Sequence, residues 1–271
     1  MGTTVSVTLR KGDQQETGVQ ITVPKPRTKR QPYAEPIPVT SRKLDGGIGY
    51  LKATTFPGLL GIDVARSLDK AFAGLSECDR LIVDLRGNLG GGLGLLRLMS
   101  YLTPGRIPIG YSVTRKSAER GVEKESLRRF GWIPSSKFAI PLVALRHAGR
   151  DGSVVLMTEG LGPKRFHGRI VMLVNEHTVS AGEMITAFAA ENKLTTTVGT
   201  ETAGRLLGGT GFKVGHGYLV ILPKAAFYTW QGKSYEGRGI PPDVSVDWSS
   251  NGAREGEDNQ LQKAIEITYS L

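Results

Sequence analysis

The chain has 271 residues, 39% hydrophobic and 7% aromatic, and its 35 Lys and Arg against 25 Asp and Glu give a formal charge of +10. That is a globular rather than a disordered composition, with length for one large domain or one domain plus an appendage. The single cysteine, Cys78, excludes an intrachain disulfide and a cysteine metal cluster. No apolar run is long enough to cross a bilayer, and scattered positive charge without a nucleic-acid module argues against a nucleic-acid partner.

In chain order, the β-rich runs Val5 to Leu9 and Val19 to Val23, joined by polar residues 10–17, predict a small hairpin. A basic, proline-containing stretch, with Lys25, Arg27, Lys29 and Arg30, reads as a linker over residues 25–40. The main domain is predicted over residues 41–250. Ile48 to Lys52 reads as a strand and Gly61 to Leu75 as a helix, with Ile62, Ala65, Leu68 and Phe72 at helical spacing. Arg80 to Leu85 is a short buried strand, followed by the glycine-dense turn Arg86 to Gly94 and a helix carrying Leu95, Leu96, Leu98, Met99 and Leu102. Residues 106–168 break the rhythm as an insertion, a substrate wall or lid, with strands expected at 107–113, 138–145 and 153–157. The αβ pattern resumes with the strand Ile170 to Val174, the helix Ala181 to Ala190, and strands at 195–198 and 218–230. Gly239-Ile240-Pro241-Pro242-Asp243 is a rigid turn, and residues 251–271 hold a final helix and tail. Alternating strand and helix predict a parallel or mixed sheet covered by helices.

Two loops carry chemistry. A strand that stops just before Ser180, with a helix beginning at Ala181, puts a hydroxyl at a helix N-terminus, where free N–H groups stabilise developing negative charge. Ser180 reads either as an N-cap or as a nucleophile. The glycines at 87, 90, 91, 92 and 94 suit a tight turn or an oxyanion nest. They match neither a phosphate-binding loop nor a dinucleotide fingerprint.

Several segments together resemble the C-terminal processing, or tail-specific, serine peptidases and the related tricorn core proteases. They are Gly49-Tyr50-Leu51, Leu81 through Gly91, Val174 through Glu183, Val198 through Gly204, and Gly237 through Asp243, in family order. The resemblance implies an α/β, crotonase-like (ClpP/crotonase-type) mixed-sheet core with flanking helices. It makes residues 1–24 the remnant of a PDZ domain, its C-terminal hairpin, so that the sequence starts inside that domain. Ser180 is then the nucleophile, and the N–H groups of Ala181, Gly90 and Gly91 form the oxyanion hole. Asn88 and Asp84 shape the turn rather than transfer protons.

The base departs from the tail-specific pattern, which has a lysine where this chain has Arg205. Arginine cannot be deprotonated to accept the serine proton. In the tricorn-like branch a histidine upstream of the PDZ domain serves, oriented by a glutamate that Glu236 matches. The resemblance therefore implies a Ser–His–Glu triad with Ser180 and Glu236 in this chain and the histidine upstream, leaving this stretch impaired on its own. His177, His167, His147, His216, Lys193 and Lys224 are the other basic candidates, and Arg205 and His177 are candidate substrate contacts. No metal-ligand spacing and no cofactor motif is present, so neither is expected.

The implied function is serine endopeptidase or carboxyl-terminal processing protease, acting through an acyl-enzyme on an extended or unfolded polypeptide. An inactive peptide-binding pseudopeptidase and crotonase-type acyl-CoA chemistry remain alternatives, and homo-oligomerisation stays open. Relatives occur in periplasm, plastid lumen and cytosol. An extracytoplasmic, for instance periplasmic, location suits the full-length protein, with the cytoplasm as the other option.

Overall fold

The computed structural model describes residues 3–10, 16–23, 37–141, 152–250 and 256–270. His147, most of the expected linker and residues 142–145 of the expected strand 138–145 lie outside the described residues. The chain divides into a unit of residues 1–36 and a unit of residues 37–271. In the first, β1 (Thr3–Arg10) and β2 (Glu16–Val23) pair antiparallel from Thr3↔Val23 to Arg10↔Glu16.

The second unit holds two sheets. The larger has the order β13-β10-β9-β5-β4-β3, from β3 (Val39–Leu44), β4 (Ile48–Ala53), β5 (Arg80–Asp84), β9 (Arg169–Val174), β10 (Thr196–Gly199) and β13 (Val244–Ser245). All its pairs are parallel except β3 with β4. Its central strands read as continuous apolar runs because both faces are covered. Period-two alternation sorts them between two cores. Leu81, Val83, Ile170, Met172 and Val174 join the larger core with helices α1 (Ile62–Gly74), α2 (Leu95–Leu102) and α4 (Ala181–Glu191). Ile82, Val171 and Leu173 face the other way, with Ala264 of α5 (Asn259–Ser270). A short helix, α3 (Arg115–Glu119), follows the first strand of the second sheet.

That second sheet has the order β11-β12-β6-β8-β7, from β6 (Pro108–Thr114), β7 (Arg129–Phe130), β8 (Val154–Met157), β11 (Gly208–Lys213) and β12 (Leu219–Thr229). It corrects the crotonase-like expectation of one mixed-sheet core, with residues 106–168 as an insertion forming a substrate wall or lid. Of the strands of residues 106–168, β6 pairs with β12, from far downstream, and β8 and β7 extend the row, into a separate and mainly antiparallel sheet. The physical reason is apolar burial: Ile109, Phe130, Leu156 and Phe227 project into the main core, so this sheet is a wall of the domain. The described part of the expected strand 138–145 is also corrected. Lys137–Ala139 is a 3-10 turn with Phe138 exposed.

β5 and β9 are parallel neighbours, Arg80↔Arg169 through Asp84↔Leu173, so the loops after them leave the same edge of the sheet. In open α/β sheets that carboxyl edge is where ligands bind.

Candidate active site

The glycine turn and Ser180 are in contact. A Cβ built on Gly90 would lie 2.6 Å from Ser180 Cβ, 3.0 Å from its Oγ and 3.3 Å from the Ala181 nitrogen, so only glycine lets the two loops approach this closely. The turn is held from below by Asn88, which is buried. Its Nδ2 donates to the Ala53 carbonyl at 2.7 Å, its Oδ1 accepts from the Gly90 N–H at 2.8 Å, and its carbonyl accepts from the Val179 N–H at 2.9 Å. Gly90 is thereby corrected as an oxyanion donor, because its N–H is spent on Asn88. Gly91 donates no hydrogen bond among the described residues, its neighbour Gly92 supplying the bond to the Phe56 carbonyl at 2.7 Å. The Ala181 N–H is the first of α4 and has no acceptor within the helix. Two amides, Ala181 on the Ser180 loop and Gly91 on the glycine turn, therefore donate to no acceptor among the described residues, and of these the Ala181 nitrogen lies against Gly90.

Ser180 is not in the extended conformation of an ordinary N-cap. It sits at φ 52°, ψ −114°, a strained region that costs a non-glycine residue about 1–3 kcal/mol and persists where surroundings over-determine it. The Ser180 N–H supplies that restraint, donating to the Arg205 carbonyl at 3.0 Å and to Glu183 Oε2 at 3.2 Å. Glu183 is completely buried. Its Oε2 also accepts from the Arg205 N–H at 2.8 Å, while Oε1 accepts from Thr202 Oγ1 at 2.7 Å and the Gly204 N–H at 2.6 Å. One carboxylate thus ties the Ser180 loop to the loop after β10. Thr202 passes the restraint on: its Oγ1 accepts from the Ile240 N–H at 2.9 Å and its N–H donates to the Ile240 carbonyl at 3.1 Å. Asp243 Oδ2 in turn accepts from the N–H and Oγ1 of Thr197 on β10, each at 2.7 Å. Sequence reasoning missed Glu183 and Thr202. The Ser-x-x-Glu spacing at 180–183, a capping-box signature, was the available signal for the first.

Glu236 is half-buried, and its Oε2 accepts from the N–H groups of Leu206 and Leu207, immediately after Arg205. Its Oε1 accepts nothing among the described residues. Arg205 lends only backbone to the site; its side chain is exposed and has no partner among the described residues. His177 is exposed in the turn before Ser180, with its Nε2 3.5 Å from Glu176 Oε1. The Glu176 carboxyl is held below its ordinary value, first by the Thr200 hydroxyl and then by its own backbone, against a smaller opposing effect of burial. His167 precedes β9, at the far edge of the sheet from Ser180, and bonds the Pro163 carbonyl. His216 lies between the hairpin strands β11 and β12. Lys193 follows the last turn of α4, about 16 Å along the helix from Ser180, and Lys224 is exposed on β12. None of these described side chains bonds Ser180 or Glu236.

Below the site lies a second buried carboxylate, Asp84. Its Oδ2 accepts from Tyr50 Oη at 2.6 Å and Arg86 Nη2 at 2.7 Å, and its Oδ1 from Arg86 N and Nε at 2.9 and 3.0 Å. Burial and the adjacent Asp84 charge push the Tyr50 phenol well above its ordinary value. Arg86 also binds both oxygens of Asp258 at 2.8 and 2.7 Å. These contacts place Asp84 and Arg86 as braces of the turn. Next to the turn, Gly58 and Leu59, which Gly92 contacts, line a cavity of about 600 Å³ whose other sides include Leu93, Phe130, Ile140 and Leu156.

Comparison with known proteins points one way. The family model described as peptidase family S41 matches residues 47–246. Tricorn protease homolog 1 of Streptomyces coelicolor is 26% identical over 188 residues, covering 67% of this chain and 17% of the relative. A carboxy-terminal-processing protease of Bartonella bacilliformis is 31% identical over 98 residues, 36% of this chain and 23% of the relative. The chain therefore spans about a fifth of these relatives. Among solved structures, the photosystem II D1 C-terminal processing protease superposes with a TM-score of 0.58 at 20% identity, over 91% of this chain and 56% of that one. This is the C-terminal processing peptidase fold, which completes the correction of the crotonase-type expectation.

Proposed function

Because the chain belongs to peptidase family S41, we propose that it is the catalytic core of a serine peptidase that cleaves extended polypeptide through an acyl-enzyme on Ser180. The observation that supports this most is the close approach of Gly90 to Ser180 and Ala181, with the N–H groups of Ala181 and Gly91 bonded to no acceptor among the described residues. In this reading Ser180 Oγ attacks the peptide carbonyl and its proton passes to an imidazole. The carbonyl oxygen, now negative, accepts from the Ala181 and Gly91 N–H groups. Collapse expels the amine, which takes the proton from the imidazole, and water repeats the sequence to release Ser180. The imidazole comes from beyond the described residues and donates to Glu236 Oε1, the oxygen that accepts nothing among them. The apolar cavity next to the glycine turn takes a substrate side chain.

Arg205 favours a second reading, a peptide-binding relative without turnover, since it stands where the tail-specific enzymes have lysine. A fluorophosphonate probe separates the two. Labelling of the wild type, faster with added imidazole and absent in Ser180→Ala, is the expected result. Labelling indifferent to Ser180→Ala overturns the nucleophile. No labelling of wild type with or without imidazole favours the binding reading.

A further inference from the structure

Arg80 opens β5 and Arg169 opens β9, and the parallel ladder makes them partners. Neighbouring strands are about 4.8 Å apart, so two guanidinium-bearing side chains start side by side at the sheet edge opposite Ser180. Like charges in such register repel. Arg80 is compensated: Nη1 donates to Asp79 Oδ1 at 3.2 Å, Nε donates to the Thr268 carbonyl at 3.2 Å, and the guanidinium lies 5.0 Å from the Tyr269 ring centre. Arg169 is exposed and its side chain has no partner among the described residues. Arg165, half-buried after the turn Gly162–Lys164, spends one Nη1 on the Phe166 carbonyl at 3.3 Å.

These three arginines, His167, Gly168 and Asp79 line a cleft of about 380 Å³. Its floor is backbone. The Arg169 N–H donates to the Asp79 carbonyl at 3.1 Å, and a Cβ on Gly168 would fall 2.0 Å from that carbonyl oxygen, so only glycine permits the approach. Its wall is fixed as well: His167 Nε2 is 2.9 Å from the Pro163 carbonyl, and the Phe166 N–H donates to the Tyr101 carbonyl at 2.9 Å. Three guanidiniums therefore face one carboxylate on a rigid frame.

We propose that this cleft binds a phosphate-type dianion, either inorganic phosphate or a small phosphomonoester. Two uncompensated guanidiniums match two negative charges, and their planar forks suit the several oxygens of a tetrahedral oxyanion. The site is independent of the peptidase reading, because it lies at the other end of β9 and uses none of the same residues.

The test titrates the chain with sodium phosphate and, separately, glycerol 3-phosphate, by NMR at constant ionic strength. Saturable amide shifts confined to residues 79–80 and 165–169 are expected. The variant Arg165→Gln/Arg169→Gln weakens binding about tenfold or more. Arg115→Gln, which removes one charge from an exposed pair with Glu119, binds as the wild type. Tighter binding of glycerol 3-phosphate identifies a phosphomonoester site, and equal or tighter binding of inorganic phosphate identifies the free ion. Non-saturable shifts, or binding unchanged in the double variant, overturn the proposal. If the double variant does not fold, Arg169→Gln alone, whose side chain holds nothing in the described fold, gives the same reading.

Discussion

Asp84 and Glu183 are both completely buried carboxylates at the carboxyl edge of the large sheet, yet they are satisfied in opposite ways. Asp84 is neutralised by a cation, Arg86, which continues to Asp258 at the start of α5. Glu183 has no cation beside it among the described residues. It is held by three backbone N–H groups and one hydroxyl, all from the Ser180 loop and the loop after β10. The charge-paired clamp joins one element of the fold to another. The amide-paired clamp fixes the geometry of a loop whose backbone is strained. Breaking the first is expected to cost the whole domain, and breaking the second to cost the reactivity of Ser180 out of proportion to stability.

The largest effect is expected at Arg86. Arg86→Ala leaves the Asp84 charge buried with Tyr50 and with Lys52, whose Nζ is 3.8 Å away and partly exposed. Removing one partner of a buried pair costs about 3–5 kcal/mol. Urea unfolding should show that loss, and Asp84→Asn/Arg86→Met should recover much of it, because the charges then left without a partner, on Asp258 and Lys52, are partly exposed to water. A loss below about 1 kcal/mol for Arg86→Ala would mean that the two clamps do not differ in kind.

Glu183→Gln is next. The side-chain amide puts its own donors against N–H groups, so two of the four donors that Glu183 accepts lose that acceptor, a cost of about 2–3 kcal/mol. Fluorophosphonate labelling of Ser180 in the folded variant should fall further than the folded fraction does, since the N–H that fixes φ of Ser180 has lost an acceptor. Equal falls in labelling and in folded fraction would make Glu183 a structural residue like Asp84.

Gly90→Ala acts on the other side of the same contact. At φ 77° an alanine is strained by about 1–2 kcal/mol, and its methyl group would overlap Ser180 Cβ. Stability should therefore drop modestly. Labelling should drop about a hundredfold, the scale of an ångström of misplacement, and Gly87→Ala, at a glycine with open space around it, should keep its labelling.

How much of this was legible in the sequence follows the same division. Apolar runs at 81–83 and 170–174 announced parallel strands buried on both faces, and neighbouring strands bring Ser180 to the glycine turn. Gly208-Gly209-Thr210-Gly211 concealed β11, because a strand rich in glycine has little side-chain signal; its place is set by pairing with β12. Phe138 and Ile140 gave an apolar run without burial, as Phe138 is exposed. The role of Glu183 was hidden for a different reason. Its partners are mostly amides, which every residue carries, and two of them lie more than twenty positions later. Gly90 was read as a donor because the sequence does not show that Asn88 takes its N–H.

The smallest effect is expected at the outer end of the charge-paired clamp. Burial alone would raise the Asp258 carboxyl, but hydrogen bonds from Arg86 and the Leu261 N–H, with the Arg86 charge, hold it below its ordinary value. A carboxyl lowered in the folded state stabilises the protein above its unfolded value, near 3.9 for aspartate, and that contribution is lost as pH falls through the folded value. Asp258→Asn keeps an oxygen to cap Leu261 and removes the charge together with one of the two acceptors of Arg86, so it should cost about 0.5–1 kcal/mol at neutral pH, given that Asp258 is partly exposed. Thermal unfolding across pH should show the gap between variant and wild type steady at neutral pH and closing at the acid end. A gap that persists after Asp258 is protonated would assign the contact with Arg86 to packing rather than charge.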